Sequence, residues 1–168
     1  MKNDLTDELL ATKENLLQVL GSFDQGNINV VPFEGSWTAG LVARHILKSA
    51  SGVLDALNGP VKHADRDPGQ HLKLLSEIFL NFDIKMKSPD FVLPDDEPKD
   101  KNILTGLIGD TFDGIIKVAG SEDLDLICTT FEMPNLGFLS KREFIWFTIV
   151  HTQRHIHQLK NIQKHLNQ

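Results

Sequence analysis

Three histidines stand where a folded chain could bring their ring nitrogens to one point. The segment "FTIVHTQRHIHQLKNIQKHL", residues 147–166, holds His151 and His155 four residues apart and contains no Gly or Pro. A helix there sets both rings on one face, one turn above the other and about 40° apart at ~100° per residue. The same face carries Phe144, Thr148, Gln158, Leu159, Ile162 and Leu166, which is the spacing of an inward stripe. His45 occupies the equivalent stripe of an earlier segment, with Val42, Ile46, Ser49, Val53 and Leu57. Imidazoles in apolar stripes need partners, because a buried polar group left unpaired costs about 1–3 kcal/mol. An i, i+4 pair on one helix plus one nitrogen from a neighbour, with a fourth position open, has the form of a catalytic metal site. Imidazole suits zinc, nickel, iron and copper alike, so the donors do not name the metal. A closed structural zinc site generally draws on cysteine, and Cys128 is the single one present.

The remaining candidates are weaker. Any one histidine alone reads as a satisfied core or surface residue, and it is the three together that suggest a site. His157 lies about 200° around the helix from His155 and faces away, while His63, His71 and His165 fall in polar connections or near the chain end. Glu14, Glu34 and Glu143 are carboxylates from which a general base could come, and the sequence does not rank them. Cys128, in "DLICTTF", reads as a small packed hydrophobe before it reads as a nucleophile. With no tyrosine in the chain, phenol chemistry is excluded.

Composition narrows the setting. The 168 residues suffice for one domain with a buried core, residues 1–168, and 40% apolar with 24% charged side chains is an ordinary globular balance. A net charge of −6 repels a phosphate backbone, so nucleic acid is not an expected partner. Lys160 and Lys164 read as cations complementing the last helix dipole. One cysteine allows no intrachain disulfide and fits a reducing compartment. "MKNDLTDELLATKENLL" has no apolar h-region, and no run approaches the ~20 apolar residues of a membrane span. The expectation is a cytoplasmic protein with no membrane partner.

Four long helices must position the histidines. Leu5, Leu9, Leu16 and Leu20 predict the first, over roughly residues 4–22. "SWTAGLVARHILKSASGVLDALNG" predicts the second, with Ser36 as N-cap and "NGP" at 58–60 as its stop. "RDPGQHLKLLSEIFLNF" predicts a shorter helix begun by Asp67 and Pro68, followed by the extended, Pro-punctuated "KSPDFVLPDDEPKD". "KNILTGLIGDTFDGIIKVAG" is the third long helix, weakened by Gly106, Gly109 and Gly114 and stopped at Gly120. "SEDLDLICTTFEMPNLGFLS" reads as an irregular connection, and Ser140 caps the last helix, residues 141–166. The fold class expected is all-α, a four-helix bundle with long crossover connections, whose sites are built from side chains on facing helices.

"SWTAGLVARHILKS", with Trp37 eight residues before His45, and "GFLSKREFIWFTIVHTQRHIHQL" together resemble the DinB-like (YfiT-type) superfamily of metal-dependent hydrolases. "KMKSPDFVLP" and "LDLICTTFEMPNLG" resemble that family's connections, so the likeness runs over most of the chain. The resemblance implies an up-down-down-up four-helix bundle, a three-histidine site holding nickel or zinc, and a homodimer. Its ligands fall on His45, His151 and His155, and Gln158 matches a glutamine common in the family's last-helix motif. Some members are similar to S-transferases using low-molecular-weight thiols such as bacillithiol, and a related branch contains a mycothiol-dependent isomerase. The function expected is therefore a metal-dependent transferase or hydrolase in which the ion activates water or a thiol for a small-molecule substrate. The rivals are a metal- or ligand-binding sensor bundle without turnover, and a bundle whose histidines are only hydrogen-bonded inside.

Overall fold

The computed structural model describes residues 2–168, with side chains described from Asp4 onward. Four long helices dominate: α1 (Lys2–Gly21), α2 (Ala39–Asn58), α4 (Lys101–Ser121) and α5 (Lys141–Leu166), with a short α3 (Leu72–Phe79) between the second and third. Each of α1 and α2 packs on both α4 and α5, so the four form a ring around a shared core, while α3 lies against α5. Among the described residues no helix is long and apolar enough to cross a membrane.

The chain is mostly helical, consistent with the all-α fold class, and adds one small sheet. β1 (Val61–Lys62), β2 (Ile127–Met133) and β3 (Gly137–Ser140) form an antiparallel sheet in the order β1-β2-β3. The segment expected to be irregular is thus a hairpin leading into α5. Ile127, Thr129, Thr130 and Phe131 are the branched and aromatic types that fit a pleated surface. "MPNLG" turns the chain with Asn135 at φ 65° and Gly137 at φ 76°, and glycine tolerates the latter without a Cβ penalty. Ile127 pairs with Ser140, which places the α5 cap directly on the sheet.

Three helix boundaries also differ from expectation. Thr38, not Ser36, caps α2, its hydroxyl accepting from Leu41 N at 3.1 Å, while Ser36 closes a turn onto Phe33 and donates to the Trp37 carbonyl. α3 begins at Leu72 rather than at Asp67–Pro68, because the Asp67 carboxylate and carbonyl take the Gly69 and Gln70 N–H groups and hold a turn. α4 runs one residue past Gly120, and Asp100 caps its start through Ile103 N. Gly114 does more than weaken that helix. A Cβ there would meet Leu54 Cδ2 at 2.9 Å, so the glycine lets α2 and α4 approach.

α5 is the element on which the site depends. Its first half, "FIWFTIV", is buried on nearly every side except at half-buried Trp146, so packing rather than amphipathicity fixes its path. Its start is locked by a capping box in which Ser140 Oγ accepts from Glu143 N and the Glu143 carboxylate accepts from Ser140 N. That fully buried carboxylate also accepts from Arg66 Nη1 and Nη2 at 2.9 and 2.6 Å and from His71 N at 2.9 Å. Trp146 Nε1 donates to the Leu72 carbonyl and to Ser76 Oγ, tying α3 to the same helix.

Candidate metal centre

His45 on α2 and His151 and His155 on α5 are all buried, and one ring nitrogen of each lies within 4.8 Å of the others. Nε2 of His151 is 3.1 Å from Nε2 of His45 and 3.1 Å from Nε2 of His155. The α5 pair meets because i and i+4 side chains lean the same way on a helix. The α2 ring meets them because α2 packs on α5.

The proton inventory of the cluster shows what it can bind. His45 Nδ1–H donates to the Val92 carbonyl at 2.8 Å, and His155 Nδ1–H donates to Gln158 Oε1 at 2.8 Å. With those protons on Nδ1, the Nε2 atoms of His45 and His155 carry lone pairs. Both lone pairs face His151 Nε2, which could donate one proton to only one of them. A cation satisfies all three nitrogens at once. Tetrahedral coordination at about 2.0–2.1 Å places ligating nitrogens about 3.3 Å apart, close to the observed 3.1 Å. The two Nδ1 hydrogen bonds are the outer contacts that fix tautomer and ring orientation in such sites. The donor set therefore fits a divalent metal ion of the imidazole-preferring kind.

Burial already holds the rings neutral. Desolvation pushes the His45 imidazole below its ordinary range, partly opposed by its bond to Val92, with Lys48 nearby adding to the shift. His151 lies well below that range, chiefly through burial and then through its two histidine neighbours and Arg154. Burial, with His45 and Arg154 contributing against the Gln158 hydrogen bond, lowers His155 to about 3. Neutral imidazole is the form a metal requires.

The cluster opens onto a cavity of about 1810 Å³ lined by α2, α3, α5, the hairpin and the link from α3 to α4. That link is tied down from the site itself. The Val92 carbonyl accepts from His45 Nδ1–H, Leu93 O accepts from Lys48 Nζ at 2.6 Å, and Arg154 donates to the carbonyls of Asn81 (2.9 Å), Phe79 and Ile84. The Trp37 ring sits 5.4 Å from that of His45, and Phe147 stacks on His151 at 5.0 Å.

With residues 8–159 the chain matches the sequence profile of the DinB superfamily. The chain belongs to the DinB superfamily. No curated protein and no solved structure matches it.

The other sequence candidates separate cleanly. Within the DinB fold seen here, Glu14, Glu34 and Glu143 are not among the cavity-lining residues: Glu14 is exposed, Glu34 is exposed between the lining residues Phe33 and Gly35, and Glu143 is committed to Arg66. Cys128 is buried and its thiol is pushed up to about 11 by burial, which leaves no thiolate near neutral pH. His157 is exposed, as its helical phase requires, yet it stacks on Phe82 at 4.2 Å and forms part of the cavity wall. His165 packs on Phe33, and His71 opens α3 with its ring against Gln70. Sequence reasoning missed Lys48 and Arg154. Both were within reach of it, since Lys48 is three residues from His45 and Arg154 lies between the two α5 histidines; the Val92 carbonyl left no trace in side-chain types.

Proposed function

We propose that this protein is a metal-dependent enzyme in which His45, His151 and His155 hold a divalent ion, nickel or zinc, and a small molecule reacts in the adjoining cavity. The observation that carries this reading is the convergence of three Nε2 atoms, with at most one proton among them, in the wall of a large cavity. Such an ion supplies a Lewis-acid centre that makes water or a thiol nucleophilic near neutral pH. The chain's own residues do the rest. Val92 and Gln158 hold two imidazoles in the ligating tautomer, while Trp37, Phe79 and Phe147 pack against the rings.

Transfer to a low-molecular-weight thiol is favoured over hydrolysis. Among the described lining residues the one carboxylate is Asp55, which is exposed, and a thiol of pKa about 8.5 needs far less help from a base than water does. The four long helices would run up-down-down-up, with the long α2-to-α4 link serving a parallel pair. A homodimer would cover Ile103 and Leu107, one turn apart on α4 and both exposed. The setting proposed is cytoplasmic.

The test uses tag-free protein. Elemental analysis should find about one nickel or zinc per chain in the wild type and in His157→Ala, and little in His151→Ala or His155→Ala. Loaded protein should stay folded to higher temperature than protein treated with chelator, by about 2.7 kcal/mol of stability at a hundredfold excess over Kd. Conjugation of thiols to an aryl halide should vanish with the metal and return on its addition. Equal metal in all four proteins would sink the ligand assignment, and thiol transfer that survives metal removal would sink the mechanism. Metal binding without turnover would favour a sensor.

A further inference from the structure

We infer that the cavity selects an organic anion, an apolar body carrying a carboxylate or a comparable oxyanion. The inference rests on the reading of this cavity as a substrate site and names what it takes. Its ground is a reversal of charge. The chain carries 23 acidic against 17 basic side chains, yet the charged residues of the cavity lining are Arg44, Lys48, Lys85, Lys87 and Arg154 against Asp55 alone. They come from three separate elements: α2, the α3-to-α4 link and α5. Among the described residues only Arg44 has a carboxylate partner, Asp95 at 3.8 Å, and none pairs with Lys48, Lys85, Lys87 or Arg154.

The partners these cations do have are neutral. Lys48 and Arg154 donate to backbone carbonyls, which leaves their charge uncompensated, and Lys85 and Lys87 are exposed at the rim. Charges of one sign along a low-dielectric cleft focus the field and draw in the opposite ion, even where the molecule as a whole bears that ion's sign. The wall between them is apolar, with Trp37, Phe79, Phe82, Phe91 and Phe131 among its residues. A cleft of this kind pairs apolar burial with a few polar groups that orient the ligand. An uncharged apolar compound would leave the cations unpaired, and a small inorganic anion would leave the aromatic wall bare. An amphipathic anion meets both.

Matched probes differing only in charge test this on the full chain. Naphthaleneacetate and decanoate are titrated beside their primary amides by calorimetry and by quenching of tryptophan fluorescence, at low salt and in the presence of chelator. The carboxylates should bind about tenfold more tightly than the amides. The preference should fall severalfold in Lys48→Met, in Lys85→Glu/Lys87→Glu and at high salt, where exposed charges are screened. The double variant alters exposed side chains with no carboxylate partner, so it tests the idea even if Lys48→Met loosens the link. Equal affinity, tighter binding of the amides, binding of neither, or a preference that outlasts both variants would overturn the inference. A preference present only after nickel or zinc is added would overturn it too, because the ion and not the basic wall would then select the charge. The metal reading fails by a different route, loss of metal uptake, which leaves these chelator-treated titrations unaffected.

Discussion

Acid should unfold this protein through its histidine cluster, and the size of the effect follows from burial. In the unfolded chain a histidine titrates near pH ~6.5, whereas folded His155 titrates at about 3 and His151 is held well below its usual range, both mainly by desolvation. The folded state therefore binds fewer protons than the unfolded state throughout that window. Stability is complete above the unfolded pKa and falls as pH drops, until the folded pKa is reached. At about 1.4 kcal/mol per pH unit, His155 removes about 2 kcal/mol between pH ~8 and pH ~5. The lowered His151 and His45 act in the same direction. For a domain of this size the His155 share alone corresponds to a fall in Tm of about 4–8 °C. Urea unfolding in chelator at a series of pH values measures it. In His155→Gln the difference between pH ~8 and pH ~5 should shrink by about 2 kcal/mol, since one titrating group is gone while the exposed carboxylates are common to both proteins. Identical pH dependence in the variant and the wild type would refute the reasoning.

Two further outcomes test the support of the site. Glu143→Gln leaves Arg66 facing an uncharged group at a buried position and should cost about 3–5 kcal/mol, read as a lower thermal midpoint by circular dichroism. Its metal uptake should be unchanged, and loss of metal from a folded Glu143→Gln protein would place that carboxylate in the site after all. Gln158→Ala removes the acceptor for His155 Nδ1–H and should weaken metal affinity about 10–100-fold with little change in melting; isothermal titration with an unchanged Kd would show that the ring needs no such partner.

Much of the fold could be read from the chain because long helices advertise themselves through local spacing. The stripes of Leu5 to Leu20, Val42 to Leu57 and Phe144 to Leu166 placed all three helices within a few residues, and the cap of α5 at Ser140 is where a Ser three residues before Glu would put it. The hairpin is hard to read in the sequence because β3 has only four residues and the Pro-Asn turn before it resembles a loop, although "ICTTF" carries strand composition. Ser36 and Thr38 both had the chemistry of a cap, and only the turn at Phe33–Ser36 decided between them.

By itself the sequence determined which face of each helix is apolar and that His45, His151 and His155 lie on such faces, since a period of 3.6 residues is a local property. That these faces meet is a tertiary result. Packing of α2 against α5 brings nitrogens of residues 106 positions apart to 3.1 Å. Tertiary structure also settled the protonation of the cluster, because the Val92 carbonyl that fixes the His45 tautomer belongs to a backbone whose path no side-chain pattern describes. It likewise turned Glu143 from a possible base into the partner of Arg66. It gathered five basic side chains of an acidic protein around one cavity. Charge totals are additive along a chain, but a field depends on where the charges end up in space.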